Sequence, residues 1–207
     1  MNITLYQNDL PENHKLTNAQ SVAIDAESLG LNYQGRDKLC LLQLCSGNEN
    51  EEVFIVQFDR DQYKCPNLCK FLSNENILKI AHFARFEIGI LKHYLNIDLK
   101  NIYCTKIASK LARTYTDKHG LYDLTKELIG ITLNKSQQSS DWGLKELSQE
   151  QKEYAALDVI HLHKLKEKLD IMLKREGRID LAKRCFDFLS TRVNLDLNGW
   201  NEDIFNH

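Results

Sequence analysis

Proline is nearly absent from this sequence, with two residues in 207, and no low-complexity stretch interrupts it. That argues against a proline-rich linker or a long disordered tail. No apolar run approaches the ~20 residues that cross a bilayer. The N-terminus carries Asn2, Asn8, Asp9 and Glu12, where a secretory signal would place bases and then an apolar stretch. The chain is therefore expected to be cytoplasmic, with no membrane partner. Its six cysteines lack the paired spacing of a secreted disulfide framework, so reduced thiols are expected. Cys65 and Cys69 have no second Cys or His pair at zinc spacing and read as part of a helix face. A strongly basic balance is missing too: net charge is −2, which by itself does not suggest nucleic acid.

The distribution of charge says more than its sum. Residues 1–60 hold nine acids against four bases, whereas residues 164–184 hold eight bases against four acids. A second basic stretch runs through Lys106, Lys110, Arg113 and Lys118. Solvated helix faces would look the same. The alternative is a basic rim that guides a phosphate backbone toward an acidic site. Apolar residues make up 43% of the chain, enough for a substantial core. Length and composition together predict one domain over 1–207, with no additional helical nucleic-acid-binding domain.

Strands are predicted at 3–6, 22–25, 39–45, 53–58 and 77–82, where short runs are β-branched or apolar. The third and fourth read as a hairpin around a turn containing Gly47, Asn48 and Asn50. A last strand is expected at 97–102. Helices are predicted at 65–72 and 86–95, and then at 107–111, 121–129, 150–169 and 179–189. Ser148 followed by Gln151 marks a capped helix start. Strands first and helices later predict an α/β fold, a mixed sheet flanked by helices with a helical C-terminal half.

Three short stretches carry chemistry. In Asp25-Ala26-Glu27, at the end of an apolar strand, alternation puts both carboxylates on one face. Two such groups repel unless a proton or cation lies between them, and hard divalent cations favour this setting. Two solvated acids at a strand end would give the same tripeptide. In Tyr154-Ala155-Ala156-Leu157-Asp158, the i and i+4 positions share a helix face, so phenol and carboxylate point the same way. In His82-Phe83-Ala84-Arg85-Phe86-Glu87, an acid falls in the opening turns of a helix, where the helix dipole also favours it.

In order and spacing, these stretches resemble the DEDD superfamily of 3′→5′ exonucleases, and most closely ribonuclease D. Asp25 and Glu27 match the first motif, His82 to Glu87 the second, and Tyr154 with Asp158 the third. Tyr154 marks the tyrosine-bearing branch; the histidine of the other branch would fall at Glu153. Lys38–Leu44, the region from Cys104 to Leu121, and Ser140-Asp141-Trp142 extend the resemblance over roughly residues 1–170. It implies a ribonuclease-H-like (DnaQ-like exonuclease) fold and two divalent metal ions, Mg²⁺ or Mn²⁺. It implies Asp25, Glu27, Glu87 and Asp158 as ligands, with Tyr154 beside the attacking water. It also implies single-stranded 3′ ends as partners, RNA ahead of DNA, with nucleoside 5′-monophosphates released. Substrate contact is expected from Ser28, Leu29, His82, Phe83 and Phe86, although core packing accounts equally well for the apolar ones.

Two features depart from the pattern. The second motif normally ends in Asp, and here Glu87 adds a methylene. The appended helical domains that ribonuclease D proteins often carry are not seen. A DNA exonuclease would share the same core, and discrimination turns on contacts to the ribose 2′-hydroxyl. A binding module with a decayed site is a third reading, against which stand the three other carboxylates and Tyr154.

Overall fold

The computed structural model describes residues 1–47, 52–134, 136–137, 139–200 and 202–206. Six strands form one mixed sheet: β1 (Asn2–Gln7), β2 (Ser21–Ser28), β3 (Leu39–Cys45), β4 (Glu52–Gln57), β5 (Leu78–Ala81) and β6 (Ile102–Cys104). Their order across the sheet is β1-β4-β3-β2-β5-β6. The β2–β3 and β3–β4 pairs are antiparallel, and β1–β4, β2–β5 and β5–β6 are parallel. All seven residues of β3 are buried, because helices cover both faces of the sheet centre. That is why β3 reads as a continuous apolar run and not as an alternating one. The hairpin expectation holds for β3 and β4, while Asn48 and Asn50 of its turn lie outside the described residues.

Seven helices follow in chain order: α1 (Pro66–Leu72), α2 (Ala84–Leu95), α3 (Thr105–Ala112), α4 (Leu121–Ile129), α5 (Gln149–Ile160), α6 (Leu162–Arg175) and α7 (Ile179–Leu197). Asp9 caps α1 from a distance, accepting from the backbone N–H of Asn67 and Leu68. A capping box opens α5: the Ser148 hydroxyl accepts from the Gln151 N–H, and the Gln151 side chain accepts from the Ser148 N–H. Gly89 lets α2 approach Tyr33, since a Cβ there would lie 2.1 Å from the Tyr33 hydroxyl. Among the described residues no helix is long and apolar enough to cross a membrane, and no disulfide joins any of the six cysteines.

Four sequence expectations need correction. The last strand is Ile102–Cys104, not 97–102; Ile97 and Leu99 are buried as loop residues, so their apolarity reflects burial and not pairing. The helix expected over 150–169 is two helices that meet at His161. The last helix runs to Leu197, well past 189. Finally, Arg113 is no surface base. It has no accessible surface, and its guanidinium donates to the Lys118 carbonyl (2.8 Å) and the Ser109 hydroxyl and pairs with Glu127.

Arg113 thus fixes the 113–119 loop between α3 and α4. Replacing it with Met is expected to destabilise the protein by about 2 kcal/mol, because the buried Ser109 hydroxyl and the Lys118 carbonyl lose their donor, while the exposed Glu127 can turn to water. Lys should recover little of that, lacking the fork. Urea unfolding of the two variants would check this; a change near zero for Arg113→Met would sink the assignment.

Candidate active site

The path of β2 builds the site. Its residues Ser21–Ala23 pair with β5, but Asp25 and Glu27 lie beyond that short ladder. There they pair with β3 alone, Asp25 opposite Gln43 and Glu27 opposite Leu41. The open edge this leaves is where the chain leaves β5 through His82 and Phe83 and enters α2, carrying Glu87 in its first turn. From the other side α5 packs across β2, β3 and β4. Tyr154 and Asp158, one turn apart, both line the same cleft as Asp25 and Glu87.

Ligand oxygens of Asp25, Glu27 and Asp158 lie within 4.8 Å of one another. Glu87 is outside that tight set but lines the cleft, which has a volume of about 310 Å³. Its Oε2 is buried with no hydrogen-bond partner among the described residues. An all-oxygen set of this kind suits hard divalent cations, and the Glu87 carboxyl is a further oxygen donor on the same cleft. The donor set fits the two-metal expectation.

Electrostatically the cleft is overloaded with acid. Burial, then Asp158, Glu87 and Glu27, hold the Asp25 carboxyl well above the usual carboxylate range. Burial, then Asp158 and Glu87, push Glu27 to about 9. Burial raises Glu87 to about 8, opposed by its own backbone N–H and by Lys106. Burial raises Asp158 to about 7. The Tyr154 phenol is pushed up by burial and by the neighbouring carboxylates, Asp158 first.

Of the expected substrate residues, His82 and Phe83 line the cleft. The His82 Nδ1 meets the Thr105 hydroxyl at 2.9 Å, and burial holds the ring neutral, at about 3. Phe83 is 47% exposed beneath the Lys106 ammonium, 4.4 Å from its ring centre. Leu29 and Phe86 are not part of this lining. Leu29 is exposed and leans toward Gly143; Phe86 packs edge-on against Tyr33. The Ser28 hydroxyl donates to the Gly30 carbonyl at 2.5 Å, closing the turn after the strand. Trp142 is buried against Tyr154, ring centres 5.9 Å apart, so it packs over the last motif. The His163 ring is largely enclosed, and its Nε2 meets the Ser21 hydroxyl at 3.0 Å. His119 meets the Ser109 hydroxyl at 2.8 Å. Residues 120–123 and Asn134 form a wall of the cleft. No residue pattern marks Asn134 in the sequence.

These raised carboxyls set the sign of a pH effect. Unfolded carboxyls ionise above about pH 4, while the native cleft keeps protons up to about 9. Stability without metal is therefore expected to fall as pH rises through that window. Divalent cations should flatten the fall by binding the native state. Melting curves in chelator and in excess Mg²⁺ would check this; a chelated protein that gains stability from about pH 5 to about pH 8 would contradict it.

Comparison with known proteins agrees with this geometry. Ribonuclease D of Nitrobacter hamburgensis is 29% identical over 185 residues, covering 89% of this chain and 47% of that protein. The chain spans between 28% and 47% of the length of the curated relatives it matches first. NrnC of Brucella melitensis is 47% identical with a TM-score of 0.94, covering 100% of this chain and 98% of the other. It is also known with bound Mg²⁺ and bound to pGG. Escherichia coli RNase D shares the fold, at TM-score 0.74 and 22% identity over 86% of this chain and 46% of that one. Residues 5–174 match the 3′-5′ exonuclease family. Since that span takes in all four carboxylates and Tyr154, the chain belongs to the 3′–5′ exonuclease family, within the DEDD superfamily that includes ribonuclease D.

Proposed function

We propose that this protein is a metal-dependent exonuclease that removes nucleotides one at a time from single-stranded 3′ ends, RNA ahead of DNA, and releases nucleoside 5′-monophosphates. The observation that carries this reading is the convergence of Asp25, Glu27 and Asp158 within 4.8 Å, with Glu87 and Tyr154 on the same cleft. Two divalent ions bound there, Mg²⁺ or Mn²⁺, would supply positive charge for the phosphodiester and a more acidic water. Asp25 would hold both ions, Glu27 and Asp158 the first, and Glu87 the second. Tyr154 keeps its proton through neutral pH, so it orients the attacking water by hydrogen bonding and does not act as a base. Water oxygen bonds to phosphorus, the bond to the upstream 3′ oxygen breaks, and that oxygen leaves as a hydroxyl. That Brucella melitensis NrnC is known with bound Mg²⁺ and bound to pGG supports a divalent cation and a short nucleic acid as ligands of this chain.

The route of the upstream strand has its own support. Phe83 lines both the cleft and a neighbouring groove of about 480 Å³ between α3 and α7. The groove is rimmed by Lys106, Lys110, Arg184, Arg85 and Arg192, with no acid in its lining. Arg85 and Arg192 are tied to Asp196. Among the described residues Lys106, Lys110 and Arg184 form no ion pair. Three unpaired cations around an aromatic shelf suit phosphates and stacked bases. Much of the basic 164–184 stretch is engaged elsewhere: Lys166 pairs with Asp170, Arg175 with Glu176, and Arg178 donates to the Leu111 carbonyl.

Two measurements test the proposal. On 5′-labelled RNA with Mg²⁺ or Mn²⁺, a ladder from the 3′ end is expected, abolished by chelator. Asp25→Asn should lower kcat on the order of a thousandfold. Full activity in that variant, or cleavage with chelator present, would overturn the metal centre. Reversing Lys110 and Arg184 to Glu should raise KM for a heptanucleotide about tenfold and weaken its salt dependence, while a dinucleotide is cleaved as before. Equal loss on both lengths would remove the groove from the substrate path, and a changed oligomeric state in the double variant would make it a surface between copies instead.

A further inference from the structure

Gln43 lies at the middle of β3 with no accessible surface. Neither its amide nitrogen nor its amide oxygen has a hydrogen-bond partner among the described residues. A primary amide has two donors and an acceptor to satisfy, and burying it unmatched works against the fold. The β3 ladder narrows down what it faces. Gln43 stands directly opposite Asp25 on β2 and opposite Ile55 on β4. Directly opposed residues in an antiparallel pair present side chains on one face, with Cβ atoms about 5 Å apart. Along β3 its same-face neighbours are Leu41 and Cys45, two residues to either side. This ring also holds Glu27 and Gln57 on its diagonals, and the Asp25 carboxyl is the directly opposed polar group that the Gln43 amide N–H can use.

We propose that Gln43 is a positioning residue for the metal centre: its amide N–H donates to the Asp25 carboxylate in the cation-loaded protein and fixes the orientation in which Asp25 reaches both ions. This rests on the metal-site reading above. Of the four acids, Asp25 is the one that stands directly opposite Gln43. Its neighbour on one side of the strand ladder is missing, because β5 has already ended, so β3 is the strand left to steer it. Partners behind a ligand matter for this reason, since they hold the ligating oxygen in place when the ion arrives.

The test uses Gln43→Met, which keeps the length of the side chain and removes the amide, in the full chain. Removing an unmatched buried amide should leave the melting temperature of the metal-free protein unchanged or raise it. Calorimetric titration with Mg²⁺ should nevertheless show affinity weakened about tenfold or more, and kcat at saturating Mg²⁺ should fall by a similar factor. A residue with a purely structural role would give the opposite pair of results: a lower melting temperature with Mg²⁺ affinity unchanged. Gln43→Asn, whose amide is drawn back by one methylene, serves as a second variant. It is expected to lose Mg²⁺ affinity as well, and wild-type affinity in both variants overturns the role of Gln43. If the wild-type protein itself binds neither Mg²⁺ nor Mn²⁺, the metal-site reading falls and this inference falls with it.

Discussion

Like-charge crowding is the constraint on which the rest of this structure depends. Asp25, Glu27, Glu87 and Asp158 come from three separate elements and share one cleft, and each is pushed upward in pKa by the burial that brings it there. Lys106, at the rim, opposes the upward push on Glu87. A fold does not gather four acids around so little positive charge for its own stability. Divalent cations bound as proposed above would supply the missing positive charge. The longer side chain of Glu87 keeps its carboxyl buried on the cleft.

The scaffold supports this unfavourable centre by surrounding it with strongly favourable structure. β3 is wholly buried between helix layers, α5 opens on a reciprocal cap, and α2 is tied to α7 through the Arg85–Asp196–Arg192 cluster. The β2 strand pairs with β3 along most of its length but with β5 over three residues. Continuous pairing on one side gives rigidity. The early end of β5 on the other gives the second motif access to the same acids.

The chemistry was legible in the sequence where it depends on spacing within one element. Asp25 and Glu27 are two apart on a strand, and Tyr154 and Asp158 four apart on a helix, so each pair could be placed on a common face before any fold was known. Relations between elements were harder to read. The helix break at His161 is hidden because Leu162, Leu165, Leu169 and Leu173 carry the apolar period past it. Ile97 and Leu99 looked like a strand because a buried loop needs apolar residues too. Arg113 counted as surface charge, since nothing local announces that Glu127 and the Lys118 carbonyl will enclose it. Leu29 and Phe86 followed the motifs in sequence but turn away from the cleft.

The capping box at Ser148 has a consequence for how this protein can vary. It fixes where α5 begins, and each helical residue after that point advances the chain by about 100° around the axis. Tyr154 and Asp158 therefore owe their direction to their distance from Ser148. An extra residue between the cap and Tyr154 would rotate both side chains off the cleft together, whereas an extra residue ahead of the cap, in the loop that precedes α5, would leave their phase untouched. Changes of length between α4 and α5 are thus confined to one side of a single serine.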